Sequence, residues 1–282
     1  MKITGSFVCG DNGQSLFEFE RTFETDLTGR GLEEKAWRKL NWLCRAFGWT
    51  GTVREFCSGA LLCEFHYLAG KYNDTDDGTP AQQQWYRNGS KMAVYHKIED
   101  LFHDPDDDTP AYTEWSQSGI VLRERLSCHG DLRDLNGVAA ARGWWDEGNQ
   151  KHEAHMMDGK LFDPSFDVPA QRDWFRNGFV ERQVDYRNCE LQDHDSDMPT
   201  VTTWHLNGSI ESKSHFKEGA LCDAPGGEPA YQTWGKDGKL ITEERHDGSR
   251  RSSTRPISGR LHPESCPEKF IPKPPAMIPW GG

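Results

Sequence analysis

Hydrophobic and polar residues alternate along much of this chain, in short runs separated by turns that contain glycine. After Asn177 and Gly178, for example, Val180, Val184 and Tyr186 fall on one face of an extended segment, with polar residues between them. Alternation with a period of two indicates a β-strand. Asn-Gly between two extended runs is a strong signal for a β-hairpin with a tight primed turn, in which both residues take a positive φ. The pattern therefore predicts hairpins in an antiparallel sheet with one partly apolar face.

The hairpin pattern recurs about every thirty residues. The unit reads G-x-L-x-D, an acidic loop, and then P-A-x-x-x-W-x-x-N-G, as in "PAQQQWYRNG" from Pro80 and "PAYTEWSQSG" from Pro110. The recurring tryptophans are Trp85, Trp115, Trp145, Trp174, Trp204 and Trp234. The recurring aspartates are Asp74, Asp104, Asp134, Asp163, Asp193 and Asp223. A half copy begins at Gly59 and a degenerate copy at Gly259, as expected for the end units of a repeat protein.

This repeat predicts a mainly β protein, an elongated array of stacked antiparallel β-hairpins with a small α+β cap at the N-terminus. A single hairpin is marginally stable in water, so neighbouring units must bury apolar surface against each other. We expect the six recurring tryptophans to form a structural spine, since a spine needs large residues at regular intervals. The alternative is that they are platforms on which a ligand stacks.

The repeat resembles the MORN-type hairpin repeats, especially the divergent bacterial and phage variety that includes antitoxin-like proteins. The segments "DGTPAQQQWYRNG", "VPAQRDWFRNG" and "EPAYQTWGKDGKL" carry the likeness, which covers about residues 51–249. The thirty-residue period is longer than the usual MORN unit, and the GxG pairs of that family are missing. The resemblance implies a hairpin array and makes antitoxin, immunity or phage anti-defence roles the first to test.

Three segments are predicted along the chain. Residues 1–50 form an α+β cap, with strands at 7–10 and 15–27 and a helix from 31 to 51; residues 51–249 form the array; residues 250–282 are a Pro-rich basic tail. The cap is expected to cover the open edge of the first hairpin. The alternative is a small partner-binding or dimerising domain. The tail either folds back along the array or binds a separate partner, and the sequence leaves both open.

Charge and composition limit the classes of partner. The net charge is -12, and because residues 1–50 are neutral and residues 250–282 carry +4, residues 51–249 carry -16. Such a charge argues against direct binding of nucleic acid or of an anionic membrane. The chain has no apolar run long enough for a transmembrane helix and no apolar signal-peptide core. Its eight cysteines form no C-x-x-C pair, which favours free thiols and a cytoplasmic location.

The acidic loops carry the candidate functional residues. Solvated turns would explain them, as would a negative surface for a basic protein partner. A calcium site is a third interpretation, although no bidentate glutamate completes the ligand set. We predict partner binding by Asp74, Asp76, Asp77, Asp104, Asp106, Asp107, Asp108, Asp193, Asp195 and Asp197.

The sequence contains no known catalytic motif: no G-x-S-x-G, no P-loop and no H-E-x-x-H. His152 and His155 lie three residues apart on a predicted strand and point to opposite faces, so we expect no metal and no cofactor. We therefore expect a non-enzymatic acidic protein that binds and inhibits or neutralises a protein partner. One alternative is a DNA mimic that inhibits a nucleic-acid-binding protein. The other is an enzyme with a site where the cap meets the array, near Cys57 or His66.

Overall fold

The computed structural model describes residues 2–8, 15–22, 41–57, 60–187, 190–193 and 198–246. They fall into two compact units. Among the described residues, unit 1 comprises those from Lys2 to Asp131 with Asp146–Gly148, and unit 2 comprises Leu132–Trp145 and those from Asn149 to His246.

Residues 41–46 of unit 1 are helical. The strands up to the unit boundary are β1 (Lys2–Val8), β2 (Ser15–Thr22), β3 (Gly51–Cys57), β4 (Ala60–Leu68), β5 (Lys71–Tyr72), β6 (Gln82–Trp85), β7 (Lys91–Tyr95), β8 (Lys97–Ile98), β9 (Leu101–Phe102), β10 (Tyr112–Trp115), β11 (Val121–Arg125), β12 (Ser127–Cys128) and β13 (Asp131–Leu132). The long strands form one antiparallel sheet in the order β2-β1-β3-β4-β6-β7-β10-β11. The N-terminal hairpin, formed by β1 and β2, therefore pairs with the edge of β3 that faces away from β4.

The predicted N-terminal helix ends earlier than residue 51. Gly48 takes a φ of 57°. The Trp49 N–H donates to the Cys44 carbonyl (2.9 Å), and the Gly48 N–H donates to the Arg45 carbonyl (3.2 Å). This Schellman motif stops the helix and turns the chain into β3. The helical segment then packs on the first hairpin around a core of Cys44, Trp49, Val53, Phe65 and Tyr67. Residues 31–40 of the predicted helix lie outside the described residues.

Unit 2 repeats the hairpin arrangement. Its strands are β14 (Ala141–Trp144), β15 (Gln150–Ala154), β16 (Met156–Met157), β17 (Lys160–Leu161), β18 (Gln171–Trp174), β19 (Val180–Val184), β20 (Tyr186–Arg187), β21 (Glu190–Leu191), β22 (Val201–Trp204), β23 (Ile210–Ser214), β24 (Phe216–Lys217), β25 (Ala220–Leu221), β26 (Tyr231–Trp234) and β27 (Leu240–Glu244). The long strands pair antiparallel in the order β14-β15-β18-β19-β22-β23-β26-β27. The prediction of a mainly β fold built from consecutive antiparallel hairpins is confirmed.

The turns after the recurring tryptophans differ from the predicted primed type. The Gly89 N–H donates to the Tyr86 carbonyl (2.9 Å), and the Tyr86 N–H donates to the Ser90 carbonyl (2.9 Å). Gly89 has a φ of 84°, whereas Asn88 keeps a negative φ. The loop is therefore a three-residue type I turn completed by a left-handed glycine. Asn88 stabilises the turn through its side chain instead: its Oδ1 accepts a hydrogen bond from the Ser90 N–H at 3.1 Å.

Primed turns do occur, in a second and shorter hairpin that the sequence did not predict. Strand β8 pairs with β9 across Glu99 and Asp100, whose φ angles are 52° and 73°. The turn of the following repeat, His129 and Gly130, has φ angles of 52° and 93°. Positive φ at both central positions is the mark of a type I′ turn. A complete repeat thus contains a long hairpin and a short one.

The predicted spine position Trp145 is wrong by one residue. Trp144 lies at the bulge of its hairpin, opposite Gln150. Trp174 has the same position in the next hairpin, where it lies opposite Val180. Trp145 occupies the following position, from which its Nε1 donates to the Trp174 carbonyl at 3.1 Å. Spacing to the turn explains the error: in each repeat the tryptophan precedes the turn glycine by four residues, and Trp144 has that spacing to Gly148.

The recurring tryptophans are half-buried. In the described part of the chain, no ring-to-ring contact joins two of them. The most deeply buried repeat position is the small residue four places earlier, which is 0% exposed in five repeats and 1% exposed where it is threonine. These residues are Ala81, Ala111, Ala140, Ala170, Thr200 and Ala230. A side chain of this size fits where a loop enters the sheet, whereas a larger one would force the backbones apart.

Candidate functional site

Each aspartate of the G-x-L-x-D segments binds the backbone of its own repeat. Oδ1 of Asp134 accepts the N–H groups of Ala140 (2.8 Å) and Met156 (2.9 Å). Oδ2 of the same carboxylate lies 2.6 Å from Nδ1 of His155. One side chain thus fixes the start of the next long strand and the start of the short hairpin. We call this arrangement, an aspartate with its two backbone donors, the aspartate staple.

The staple recurs at all six aspartates with nearly constant spacing. Its N–H donors are Ala81 and Lys97 for Asp74, Ala111 and Ser127 for Asp104, Ala140 and Met156 for Asp134, Ala170 and Tyr186 for Asp163, Thr200 and Phe216 for Asp193, and Ala230 and His246 for Asp223. These N–H groups lie where the regular strand pairing stops. Without the carboxylate they would lose their hydrogen bonds in a buried place, which costs about 1–3 kcal/mol each.

A histidine completes the staple in three repeats. The pairs are His96 with Asp74 at 2.7 Å, His155 with Asp134 at 2.6 Å and His215 with Asp193 at 2.7 Å. The same repeat position holds Leu126 in the repeat of Asp104 and Asp185 in the repeat of Asp163. The backbone bonds are therefore common to all six units, and the imidazole is an addition to some of them.

The imidazole of His155 is protonated at neutral pH. Burial of the ring lowers its pKa. The hydrogen bonds to Asp134 and Glu153, with the charges of those two carboxylates, outweigh burial and raise the pKa to about 9. The pKa of His215 is raised by the same balance. The ring of His155 is thus a cation held inside the sheet, and we assign both histidines to stability.

Three of the predicted partner-binding residues are staple aspartates. The side chains of Asp74 and Asp193 are 16% and 10% exposed, and Asp104 is 8% exposed. Their carboxylates accept hydrogen bonds from their own repeats, so we assign them to the architecture. Asp195 and Asp197 lie outside the described residues.

The other predicted aspartates are exposed and lie on two consecutive loops of unit 1. They are Asp76, Asp77, Asp106, Asp107 and Asp108. Hydrogen bonds from Thr75 and Thr79 lower the pKa of Asp77 to about 2. Hydrogen bonds from the backbone of Asp108 and the hydroxyl of Thr109 lower the pKa of Asp106. Both carboxylates therefore stay ionised across the physiological pH range.

The spacing of these two loops follows from the sheet. The loop with Asp76 leads into β6 and the loop with Asp106 leads into β10, and β7 lies between these strands. Neighbouring strands are about 4.8 Å apart, so the loops are separated by about 10 Å. Five carboxylates thus share one edge of unit 1.

Exposed apolar side chains lie on the short hairpins that precede the acidic loops in the chain. Leu68, Ile98 and Leu101 are 52%, 46% and 48% exposed, beside the turns of these hairpins. A shallow depression of about 110 Å³ is lined by Ile98, Glu99, Leu101, His103 and His129. We call Leu68, Ile98, Leu101 and the five exposed aspartates the loop edge. The sequence analysis did not predict the three apolar residues of the loop edge. A signal for them exists in the sequence, since each lies next to the two turn residues of a short hairpin, Ala-Gly or Glu-Asp.

The residues considered for metal binding or catalysis have separate partners. His152 Nδ1 contacts Asp173 at 2.6 Å, whereas His155 contacts its staple aspartate. His66 is buried in the sheet, with Nε2 3.0 Å from Glu64. Within the described ranges, no three His, Cys, Asp or Glu side chains are placed to hold a metal ion.

The described cysteines are free thiols: Cys44, Cys63, Cys128 and Cys222. Burial raises the pKa of Cys44 to about 11 and also raises the pKa of Cys63. Thiols with such pKa values are poor nucleophiles at neutral pH, so Cys44 and Cys63 belong to the packing of unit 1.

Comparison with protein-family models, with curated proteins and with solved structures finds no match. The description of this chain as a β-hairpin repeat of about thirty residues therefore comes from its own sequence and strand pairing. Among the described residues, no helix has the length and apolar character needed to cross a membrane.

Proposed function

We propose that this protein acts by binding another protein, without catalysis, and that the loop edge of unit 1 is its contact surface. The proposal is carried by one observation: both acidic loops of unit 1 have one aspartate bound into the fold and further aspartates that are exposed. Asp74 and Asp104 hold the backbone, whereas Asp76, Asp77 and Asp107 project into solvent. Carboxylates that are exposed to solvent are available to a partner.

The partner that suits this edge has an apolar patch bordered by Lys and Arg. Leu68, Ile98 and Leu101 supply the apolar contact and the aspartates supply the charged border, the usual arrangement of a protein–protein interface. Exposed ion pairs contribute about 0.2–1 kcal/mol each, so affinity would come mainly from the apolar centre. The carboxylates would chiefly accelerate association and select a basic partner.

Inhibition or neutralisation of that partner is the role we propose. The P-A-x-x-x-W-x-x-N-G hairpins support a MORN-type origin, and the divergent members of that group make an antitoxin, immunity or anti-defence role the first to test. This step rests on analogy of fold. The cytoplasm is the proposed location, which the free thiols support.

Affinity capture from the native host with charge variants tests the proposal. Asp76, Asp77, Asp106 and Asp107 are replaced together by Asn, and we expect the captured protein to be lost or its association slowed at least tenfold. The matched control replaces four exposed acids of unit 2 by their amides, which leaves the net charge of the two variants equal. These control residues are Asp167, Glu181, Glu190 and Glu218.

Two results would contradict the proposal. One is capture that the loop-edge variant and the control reduce equally. The other is the absence of any stoichiometric protein. If duplex DNA displaces the captured protein in competition, the partner binds nucleic acid and the DNA-mimic alternative is favoured.

A further inference from the structure

Lys97 of unit 1 occupies a packing position of the short hairpins. It begins β8 and lies opposite Phe102 of β9. In the other short hairpins that the structure describes, the same position holds an uncharged residue. These residues are Tyr67, Ser127, Met156, Tyr186 and Phe216. The hairpin itself therefore does not require a charge at this position.

Three aromatic rings surround the ammonium group of Lys97. Its Nζ lies 5.1 Å from the ring centre of Tyr72, 5.7 Å from that of Tyr95 and 4.9 Å from that of Phe102. Tyr95 is buried, whereas the Lys97 side chain is half-buried and can still be reached from solvent. Ring faces attract an ammonium, but they offer no acceptor to its three N–H donors. In the described part of the chain, no carboxylate forms an ion pair with Nζ.

The surroundings of Lys97 favour the neutral amine. Burial lowers the pKa of Lys97 to about 8; the charge of Asp100 opposes this effect and the charge of Arg45 adds to it. The Arg45 guanidinium lies 5.4 Å from the ring centre of Tyr72. Asp100 holds it through two hydrogen bonds, at 2.7 and 2.8 Å. A desolvated lysine close to a second cation is an arrangement that activates an amine as a nucleophile.

We propose that Lys97 is a modification site, at which the side-chain amine accepts an acyl group from a small acyl phosphate. The Nζ lone pair attacks the carbonyl carbon, and the bond from that carbon to the phosphate oxygen breaks. Phosphate leaves with the electron pair, and one amine proton passes to water. The product is an uncharged amide, at a position where the other hairpins hold uncharged residues. The donor must be small because the side chain is only partly exposed.

Lys71 is the control lysine within the same unit. It lies on the hairpin formed by β4 and β5, and its side chain is 49% exposed. Its Nζ lies 2.8 Å from Oε2 of Glu99, and this hydrogen bond raises the pKa of Lys71. Lys71 is thus more accessible than Lys97 but remains protonated at neutral pH. Accessibility and nucleophilicity therefore predict opposite orders of reaction for the two lysines.

Treatment of the full chain with acetyl phosphate at pH 7.5, followed by peptide mass mapping over time, tests the proposal. A pKa of about 8 leaves about a quarter of the Lys97 amine neutral at this pH, roughly 200-fold more than for a lysine with a pKa of about 10.4. A less basic group is also a weaker nucleophile, which reduces the expected advantage to about tenfold. We therefore expect Lys97 to be acetylated about tenfold faster than Lys71.

The pH profile separates nucleophilicity from exposure. The acetylation rate of Lys97 should level off above about pH 9, whereas the rate of Lys71 should still rise at pH 10. In the variant Lys97→Arg, the rate of Lys71 should be unchanged. A Lys97 rate no higher than that of Lys71, or identical pH profiles for the two lysines, would overturn the proposal.

A second pair of variants tests whether an uncharged side chain suits this position. Lys97→Met introduces the residue that Met156 supplies in its own hairpin, and Lys97→Arg keeps the positive charge. We expect Lys97→Met to unfold at a higher urea concentration than both the wild type and Lys97→Arg, because the buried charge is removed. Equal or lower midpoints for Lys97→Met would show that the charge is not unfavourable there, and would contradict the assignment.

Discussion

The pair of His155 and Asp134 should make the stability of unit 2 depend on pH. Hydrogen bonds and neighbouring charge raise the pKa of His155 to about 9 against the effect of burial, whereas the unfolded chain has a histidine pKa of about 6.5. Folding therefore favours the protonated ring. The stabilisation is complete below about pH 6.5 and is lost as the pH rises through about 9. A difference of about 2.5 pKa units corresponds to roughly 3 kcal/mol.

The variant His155→Leu removes this contribution. Leu126 occupies the same repeat position, so the site tolerates a leucine side chain. We expect the variant to lose roughly 3 kcal/mol of unfolding free energy at pH 6 and much less at pH 10. Urea unfolding between pH 6 and pH 10 measures the difference, and an NMR titration of the His155 ring gives its pKa directly.

The variant Asp134→Asn is the control for the charge. Its side-chain oxygen still accepts the two backbone N–H groups, so the hydrogen-bonding frame is kept while the negative charge is removed. We expect the pKa of His155 to fall towards 6.5 in this variant. A wild-type pKa at or below 6.5, or a His155→Leu profile parallel to that of the wild type, would refute the reasoning.

Three further outcomes follow from the same contacts. Asp134→Ala leaves two backbone N–H groups without their acceptor and should cost roughly 3–5 kcal/mol in urea unfolding, against about 0.5 kcal/mol or less for the exposed control Asp167→Ala. Gly178→Ala should cost about 1 kcal/mol in the same assay, because Gly178 has a φ of 85° and no atom lies within 4 Å of the added methyl group; a neutral result would show that the turn relaxes. Cys44 should react with a maleimide at pH 8 on the order of 100-fold more slowly than an exposed thiol, because burial raises its pKa from 9.0 to about 11; comparable rates would show that unit 1 opens readily.

The architecture was predictable because the repeat is a local signal. A thirty-residue period, alternating strands and turn glycines are all visible within one unit, and the observed strand pairing follows them. The errors arose where two local signals competed. Tandem Trp144 and Trp145 offered two registers, and only the distance to Gly148 separates them. At Asn88 and Gly89 the dipeptide indicates a primed turn, but the bulge opposite the tryptophan makes a three-residue loop the better fit.

The candidate site was predictable only in part. The sequence around a loop aspartate does not show whether its carboxylate accepts backbone hydrogen bonds or is exposed to solvent. Asp74 and Asp76 are two residues apart, yet the first accepts backbone N–H groups and the second is exposed. The distinguishing partners of Asp74 are Ala81 and Lys97, and the second of these is 23 residues away. One signal was available: His96, His155 and His215 follow their staple aspartates by 21 or 22 residues.

The variation at the histidine position shows which part of the staple the fold requires. Leu126 and Asp185 replace the imidazole without loss of the two backbone bonds at Asp104 and Asp163. The essential role of the carboxylate is therefore to accept N–H groups where a long strand ends and a short hairpin begins. Since the second donor lies in the hairpin that leads towards the next unit, each staple also couples its loop to the following repeat. In a repeat protein, where stability depends on contacts between neighbours, loss of one staple should weaken the adjoining interfaces more than distant ones.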